Sequence, residues 1–275
     1  MRTRVVVVLG LASALAVAAC SILTSLGDLA PAASGTDGST DTAAPSDAPS
    51  DAAVSACDGG SIPDLVGYYK LDEGSGLVVH DCSGKGHDGT ILRTSANTWT
   101  TGIQGGGIRV LSPDGCIDLG ADPDFVMTGG FTVMTWAHVD TFPDPGSSAY
   151  LVGKTLNVFD RGWRLHTASI QEFGAAVARP GDAGPLQAGR DGFDAGVWQH
   201  VAARFEPTKS VTVYVDGAQI STLTWSSTLI EDTAANLRIG CRGDNAGYLA
   251  GVIDEVRIYR RALTPSEIAI LSQKP

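Results

Sequence analysis

Positive charge is scarce in this sequence. Nineteen Lys and Arg stand against 30 Asp and Glu, for a net charge of −11, and no Lys or Arg occurs between Arg4 and Lys70. Such a balance gives no electrostatic attraction to a polyanion, which argues against nucleic acid as a partner. Charge of either sign is sparse at 18%, unlike the Glu- and Lys-rich composition of bundles and coiled coils. No apolar run reaches the roughly 20 residues that a permanent membrane-spanning helix needs. Common catalytic signatures are missing too: there is no Gly-x-Ser-x-Gly elbow, no His-Glu-x-x-His and no Cys-x-x-Cys.

What stands at the start is a basic pair, Arg2 and Arg4, an apolar run from Val5 to Val17, and the small residues Ala18 and Ala19. This is the three-part build of a secretory signal peptide over residues 1–20, and cleavage is expected to leave Cys20 as the new N-terminus. Val17-Ala18-Ala19-Cys20 resembles a bacterial lipobox, which implies a diacylglyceryl group on Cys20 and a lipid anchor. Ser21, rather than Asp, follows the cysteine. By analogy with lipoproteins of Gram-negative bacteria this points to the outer membrane, on its periplasmic or its surface face. Each buried methylene contributes about 0.8 kcal/mol, so two acyl chains hold firmly where one is marginal. Residues 21–60 are mostly Ser, Thr, Asp, Ala, Pro and Gly, with no aromatic. They bury too little apolar surface to offset their conformational entropy, which predicts a disordered acidic tether.

From about residue 61 the pattern changes to short runs of Val, Ile, Tyr and Trp between Gly, Asp and Pro clusters, the signature of strands and turns. Phe131, Val133, Ala137 and Val139 alternate along one strand, and Asp216-Gly217 joins two others with the positive φ values of a type I′ turn. Strands are expected at 65–71, 107–111, 116–119, 131–139, 150–153, 162–167, 172–178, 198–205, 210–215, 218–223, 236–240 and 252–259. The fold class is all-β, an antiparallel two-sheet sandwich. Thr264-Pro265-Ser266-Glu267 carries an N-cap, a Pro at the first helical position and a capping-box Glu, which predicts a short terminal helix.

Six ordered segments carry a family resemblance: Leu65-Val-Gly-Tyr-Tyr-Lys-Leu-Asp-Glu-Gly-Ser-Gly76, Asp81-Cys-Ser-Gly-Lys-Gly-His-Asp-Gly89, Phe131-Thr-Val-Met-Thr-Trp136, Trp198-Gln-His-Val-Ala202, Val213-Tyr-Val-Asp-Gly217 and Gly251-Val-Ile-Asp-Glu-Val-Arg-Ile-Tyr-Arg-Arg-Ala-Leu263. Over about residues 64–272 the chain resembles the laminin G-like domains of the concanavalin A-like superfamily. The resemblance implies a jelly-roll sandwich used chiefly for recognition, with no ligand fixed by the fold.

Two readings stand for Asp81 and Asp254. Related domains hold a structural calcium ion with residues of these two segments, so the resemblance implies Ca²⁺ between Asp81 and Asp254, completed by loop carbonyls. Alternation puts Asp254 on the core side with Val252, Val256 and Ile258, where a carboxylate needs a partner. In the other reading Asp81 caps its own turn and Asp254 pairs with an Arg. Four cysteines remain after Cys20 in an exported chain, which suggests two disulfides with three pairings open. Cys116 with Cys241, and Cys57 with Cys82, is the favoured pairing.

Trp163, Trp225, Tyr150 and Tyr248 are aromatics that could stack on a sugar, although most aromatics of a sandwich belong to its core. His200 reads as a strand residue without a catalytic partner set. No Glu-x-Asp-x-x-Glu run of a sandwich-fold glycosidase occurs, and no catalytic residue is assigned. The expected function is therefore a membrane-anchored, non-catalytic recognition module for carbohydrate or a surface protein. A structural or adhesive envelope component without a small ligand is the alternative, and a polysaccharide-active enzyme ranks last.

Overall fold

The computed structural model describes Cys57 and residues 62–95, 98–157, 161–169, 171–178, 186–224 and 231–275, all within one compact unit, Ala52–Pro275. Residues 1–20 with Cys20, the 21–60 segment other than Cys57, and Trp225 lie outside the described residues.

The chain first forms β1 (Leu65–Tyr69), β2 (Val78–Val79), β3 (Gly89–Ile91), β4 (Trp99–Thr101), β5 (Gly106–Val110) and β6 (Ile117–Asp118). A single 3₁₀ turn, Pro123–Phe125, precedes β7 (Phe131–Val139), β8 (Ser148–Lys154), β9 (Trp163–Ala168), β10 (Glu172–Val177) and β11 (Leu186–Asp191). Then come β12 (Trp198–Glu206), β13 (Ser210–Val215), β14 (Ala218–Thr224), β15 (Leu237–Ile239), β16 (Gly251–Tyr259) and the helix α1 (Pro265–Leu271). The front sheet runs β14-β13-β12-β7-β16-β5-β4, with β1 also paired to β16, and the back sheet runs β11-β10-β9-β8-β15-β6-β3-β2. The ladders are antiparallel, so the expected two-sheet jelly-roll sandwich is the observed one.

Alternation builds the core. Phe131, Val133, Ala137 and Val139 of β7 point inward with Val201, Ala203 and Phe205 of β12, and they meet Trp163, Leu165, Phe173 and Ala175 from the back sheet. Phe131 stacks on Phe205 with ring centroids 4.1 Å apart and tilts against Trp163 at 5.3 Å, contacts of about 0.5–1.5 kcal/mol beyond their burial.

The outer face of the front sheet carries a smaller apolar cluster beside α1, in which Leu263 and Ile268 pack on Met134, Ala202, Tyr214 and Tyr259. The helix begins as the sequence predicts, with the Thr264 side chain accepting from Glu267 N–H and the Glu267 carboxylate accepting from Thr264 N–H at 2.8 Å. Asp216 and Gly217 have φ of 48° and 77°, as the Asp-Gly signal requires. A Cβ on Gly217 would stand 2.4 Å from Ser272 Oγ, so this turn also seats the end of the helix.

Two departures have physical causes. β2 and β4, of two and three residues, are too short to show a period, and Leu186–Asp191 of β11 shows no apolar alternation. In β16 strict alternation fails. Glu255 adopts φ 54° and the register against β7 shifts between Asp254 and Arg257. This bulge inserts an extra residue. Ile253, Val256 and Ile258 enter the core, while Asp254 pairs with Trp136 on the opposite face. The core-side placement of Asp254 is thereby corrected.

Both favoured disulfides are present: Cys57–Cys82, with Cα atoms 4.9 Å apart, and Cys116–Cys241, 5.5 Å apart across 125 residues. The second closes a long loop, for which chain-entropy loss in the unfolded state gives about 4.7 kcal/mol at roughly 100 residues. Cys116→Ala/Cys241→Ala is expected to lose about 2–5 kcal/mol in urea denaturation, and non-reducing peptide mapping should recover the 116–241 and 57–82 bridges. Alkylation of all four thiols in native protein is the contrary result.

Candidate binding site

Asp81 and Asp254 sit in separate hydrogen-bond networks. Asp81 Oδ1 accepts from Tyr68 N–H at 3.0 Å and Ser83 N–H at 2.9 Å, and its Oδ2 accepts from Ser83 Oγ–H at 2.7 Å and His87 N–H at 3.0 Å. A carboxylate offers roughly four lone-pair sites, and all are taken by donors of β1 and of its own turn. In this arrangement Asp81 caps the turn and has no lone pair left for a cation.

Asp254 is completely buried. Its Oδ2 accepts from Ile103 N–H at 2.9 Å and Gln104 N–H at 3.1 Å. Gly102 is required there, since a Cβ would fall 2.4 Å from that oxygen and 1.8 Å from Gly106 O. Asp254 Oδ1 has no hydrogen-bond partner. Burial raises the carboxyl to about 7, helped by the nearby Glu255 charge and opposed by the Gln104 and Ile103 N–H groups. Its neighbour Glu255 accepts from Tyr68 Oη–H at 2.8 Å and from Arg257, so the arginine expected for Asp254 belongs to Glu255. Of the two carboxylates, Asp254 alone keeps an oxygen without a hydrogen-bond partner.

A second polar group, which sequence reasoning did not assign, occupies the outer face of the back sheet. Tyr150 of β8 pairs with His166 of β9, which pairs with Gly174 of β10, which pairs with Gly189 of β11. Arg164 lies two residues before His166, on the same face. The strip is floored by glycine, and a Cβ on Gly174 would press on His166 at 3.2 Å. Tyr150 lies between two guanidinium groups, Arg164 at 5.7 Å and Arg242 at 5.5 Å from its ring centroid. Arg242 is held by Asp244 at 2.8 Å, whereas no carboxylate pairs with Arg164 among the described residues. Arg164 Nε and His166 Nδ1 are buried without hydrogen-bond partners, and the buried Tyr150 hydroxyl lies within reach of the Arg242 guanidinium. Burial, then the Arg164 charge, lowers His166 to about 3, against a hydrogen bond to Gln187. His166 is neutral at physiological pH.

The signal for this group is weak in sequence. Arg164 and His166 lie in an ordinary strand, and only the pairing with β8 and β10 reveals that they share a face with Tyr150. Tyr150 and Trp163 are themselves buried and offer no exposed ring for stacking, while Tyr248 is partly buried against the core. His200 is fully buried, edge-on to Trp136 at 5.4 Å, and both its ring nitrogens lack partners. Burial, then the Arg257 charge, lowers it to about 3, and it stays neutral within its strand.

Comparison with known proteins agrees with this architecture. No curated protein sequence matches the chain. Solved structures of similar fold include the binding domain of Paraclostridial Mosquitocidal Protein 1, with a TM-score of 0.60 and 18% identity over 76% of this chain and 52% of that one. Trypanosoma rangeli sialidase in complex with the inhibitor DANA has a TM-score of 0.55 and 18% identity over 76% of this chain and 32% of that one. Domain 4 of AbnA, a GH43 extracellular arabinanase from Geobacillus stearothermophilus, in complex with arabinotriose, has a TM-score of 0.51 and 20% identity over 76% of this chain and 98% of that one. The chain thus spans about half of the toxin domain and a third of the sialidase, and at these identities the likeness is one of fold. A family model described as the concanavalin A-like lectin/glucanases superfamily matches residues 111–269, more than half of the sequence, and the chain belongs to that superfamily.

Proposed function

We propose that the chain is a non-catalytic carbohydrate-binding module whose ligand meets the outer face of the back sheet at Tyr150, Arg164, His166 and Arg242. The observation that carries this reading is the pair of buried polar atoms Arg164 Nε and His166 Nδ1, gathered without partners on one face with the Tyr150 hydroxyl. Native interiors leave few such groups unsatisfied, and a hydroxyl-rich ligand that displaces the side chains covering this face would supply donors and acceptors to them. Guanidinium groups suit sugar hydroxyls and the carboxylates of acidic sugars. A histidine fixed neutral can hold a hydrogen bond but has little capacity for proton transfer near pH 7, which favours binding over catalysis. The fold neighbours that are toxin binding domains, and the arabinanase domain in complex with arabinotriose, support the same reading.

The same proposal places the module on a membrane through lipid on Cys20, with residues 21–60 as its tether, at the outer membrane of a Gram-negative-type bacterium. It also includes a structural calcium ion taken up through Asp254 Oδ1, for which the unpartnered buried oxygen is the support.

Three measurements test these parts. On a glycan array, wild-type protein should retain a defined set of sugars. Tyr150→Phe, which removes the hydroxyl and keeps the ring, should hold its melting temperature and weaken binding by about fivefold, the equivalent of a hydrogen bond of about 1 kcal/mol. No retained glycan, or binding untouched by Tyr150→Phe and Arg164→Gln, removes the proposed site.

For Asp254 the sign follows from its raised pKa. Between the ordinary 3.8 and about 7 the folded state holds a proton that the unfolded chain has released. Metal-free stability therefore falls as pH rises through that window and stays low above it. Asp254→Asn should flatten this slope. At pH 8, calcium at a hundredfold excess over its dissociation constant should restore about 2.7 kcal/mol, in wild type and in Asp81→Ala but not in Asp254→Asn. A melting curve indifferent to calcium and chelator rejects the ion.

Cys20→Ala should abolish acyl labelling and release the protein from membrane fractions. Persistent membrane association of that variant counts against the anchor.

A further inference from the structure

The turn that Asp81 caps and the 3₁₀ turn Pro123–Phe125 bring His87, Asp122 and Asp124 together. Among the described residues this is the one group of three metal-ligating side chains whose ligand atoms lie within 4.8 Å of one another. The His87 side chain is 8% exposed, and Phe125 packs on its ring at 4.9 Å. Its Nδ1 lies 2.8 Å from Val66 O. A carbonyl oxygen only accepts, so Nδ1 carries the ring proton, and in the neutral ring Nε2 presents a lone pair. That lone pair points at two carboxylate oxygens, Asp122 Oδ1 at 3.4 Å and Asp124 Oδ2 at 3.5 Å. Three electron-rich atoms facing one another require a cation between them.

The distances decide which cation fits. A proton on Nε2 would draw a carboxylate to about 2.7–2.9 Å, and both oxygens stand well beyond that. Ligands about 2.1 Å from a common tetrahedral centre lie about 3.4 Å from each other, which is the spacing from Nε2 to each carboxylate oxygen, and the two oxygens lie within 4.8 Å of one another. The carboxylates are also held from behind, as ligands of bound metals are: Asp124 N–H donates to Asp122 Oδ1 at 2.8 Å, and Arg260 Nη2 donates to Asp124 Oδ1 at 2.9 Å.

We propose that His87 Nε2, Asp122 and Asp124 form a binding site for a divalent transition-metal ion of the zinc type. An imidazole ligand favours such an ion over calcium or magnesium, which prefer oxygen alone. Asp122 and Asp124 are 44% and 39% exposed, so the fourth position opens to solvent and takes water. The ion ties the Asp81 turn to the 3₁₀ turn that leads into β7. None of its three ligands takes part in the Asp254 network or in the proposed sugar face.

Isothermal titration of the purified metal-free chain with zinc alone tests the site. The expected result is one saturable equivalent per chain, with a rise of a few degrees in melting temperature at saturating zinc. Asp122→Asn and Asp124→Asn preserve shape and the hydrogen bonds behind each ligand. Each should weaken zinc at least tenfold while leaving the metal-free melting temperature in place. Cobalt(II) substitution should give the intense visible absorption of a four-coordinate site in wild type and lose it in Asp122→Asn/Asp124→Asn. Asp254→Asn should bind zinc as wild type does. Absence of saturable binding up to 100-fold excess metal, or binding that survives Asp122→Asn/Asp124→Asn unchanged, overturns the proposal.

Discussion

A strand has one row of backbone donors and acceptors along each edge, and β16 must divide one of its rows between two partners. Gly251–Ile253 pairs with β5 and Val256–Tyr259 with β1, while the other edge pairs with β7. Where the partners change over, neither can supply hydrogen bonds, and the Glu255 bulge falls in that gap. The Asp254 carboxylate substitutes for a neighbouring strand there by gathering the Ile103 and Gln104 N–H groups, and Asp72 holds Gly106 N–H at 2.6 Å beside it. Thr135 Oγ–H donates to Asp254 O at 2.8 Å from the opposite side. The front sheet is continuous because a side chain completes a ladder that the backbone alone leaves open. The cost is one carboxylate oxygen buried without a partner.

The two outer faces of the sandwich solve the problem of burial differently. On the front sheet, hydrophobic contacts with Leu263 and Ile268 close the surface. On the back sheet the buried residues are Tyr150, Arg164 and His166, and they interact through a π face and charge rather than through aliphatic packing. Polar groups kept in such a position are specific about what completes them, since an unmatched neighbour leaves a desolvated donor or acceptor behind. The difference between the faces is chemical rather than architectural, because both sheets have eight strands and the same antiparallel pairing.

Most of the fold was legible in the sequence where local physics and tertiary context agree. β7 and β13 alternate, Asp216-Gly217 allows a single turn geometry, and Thr264 with Glu267 encodes a helix start in four residues. The disulfide pairing followed from cysteine position. Legibility ended where one residue breaks a period. Glu255 looks like any strand residue, so nothing in Val252-Ile-Asp-Glu-Val marks the bulge that turns Asp254 away from the core. The candidate site was harder still. Tyr150, Arg164 and His166 meet through strand pairing, which sequence spacing does not express. His87, Asp122 and Asp124 meet through two turns, and His87 stands 35 residues before Asp122 with no local pattern joining them.

The Cys57–Cys82 bridge has a mechanical consequence. Tension arriving along the chain from the N-terminal side of Cys57 passes through the sulfur atoms to Cys82 and does not travel along the backbone between them. β1, which lies inside that closed loop, carries none of the load. Without the bridge the same pull would reach Leu65 first and peel β1 from β16 one hydrogen bond at a time. With it, force enters at the turn that Asp81 holds with four hydrogen bonds, and the pairing of β1 with β16 is shielded by covalent geometry.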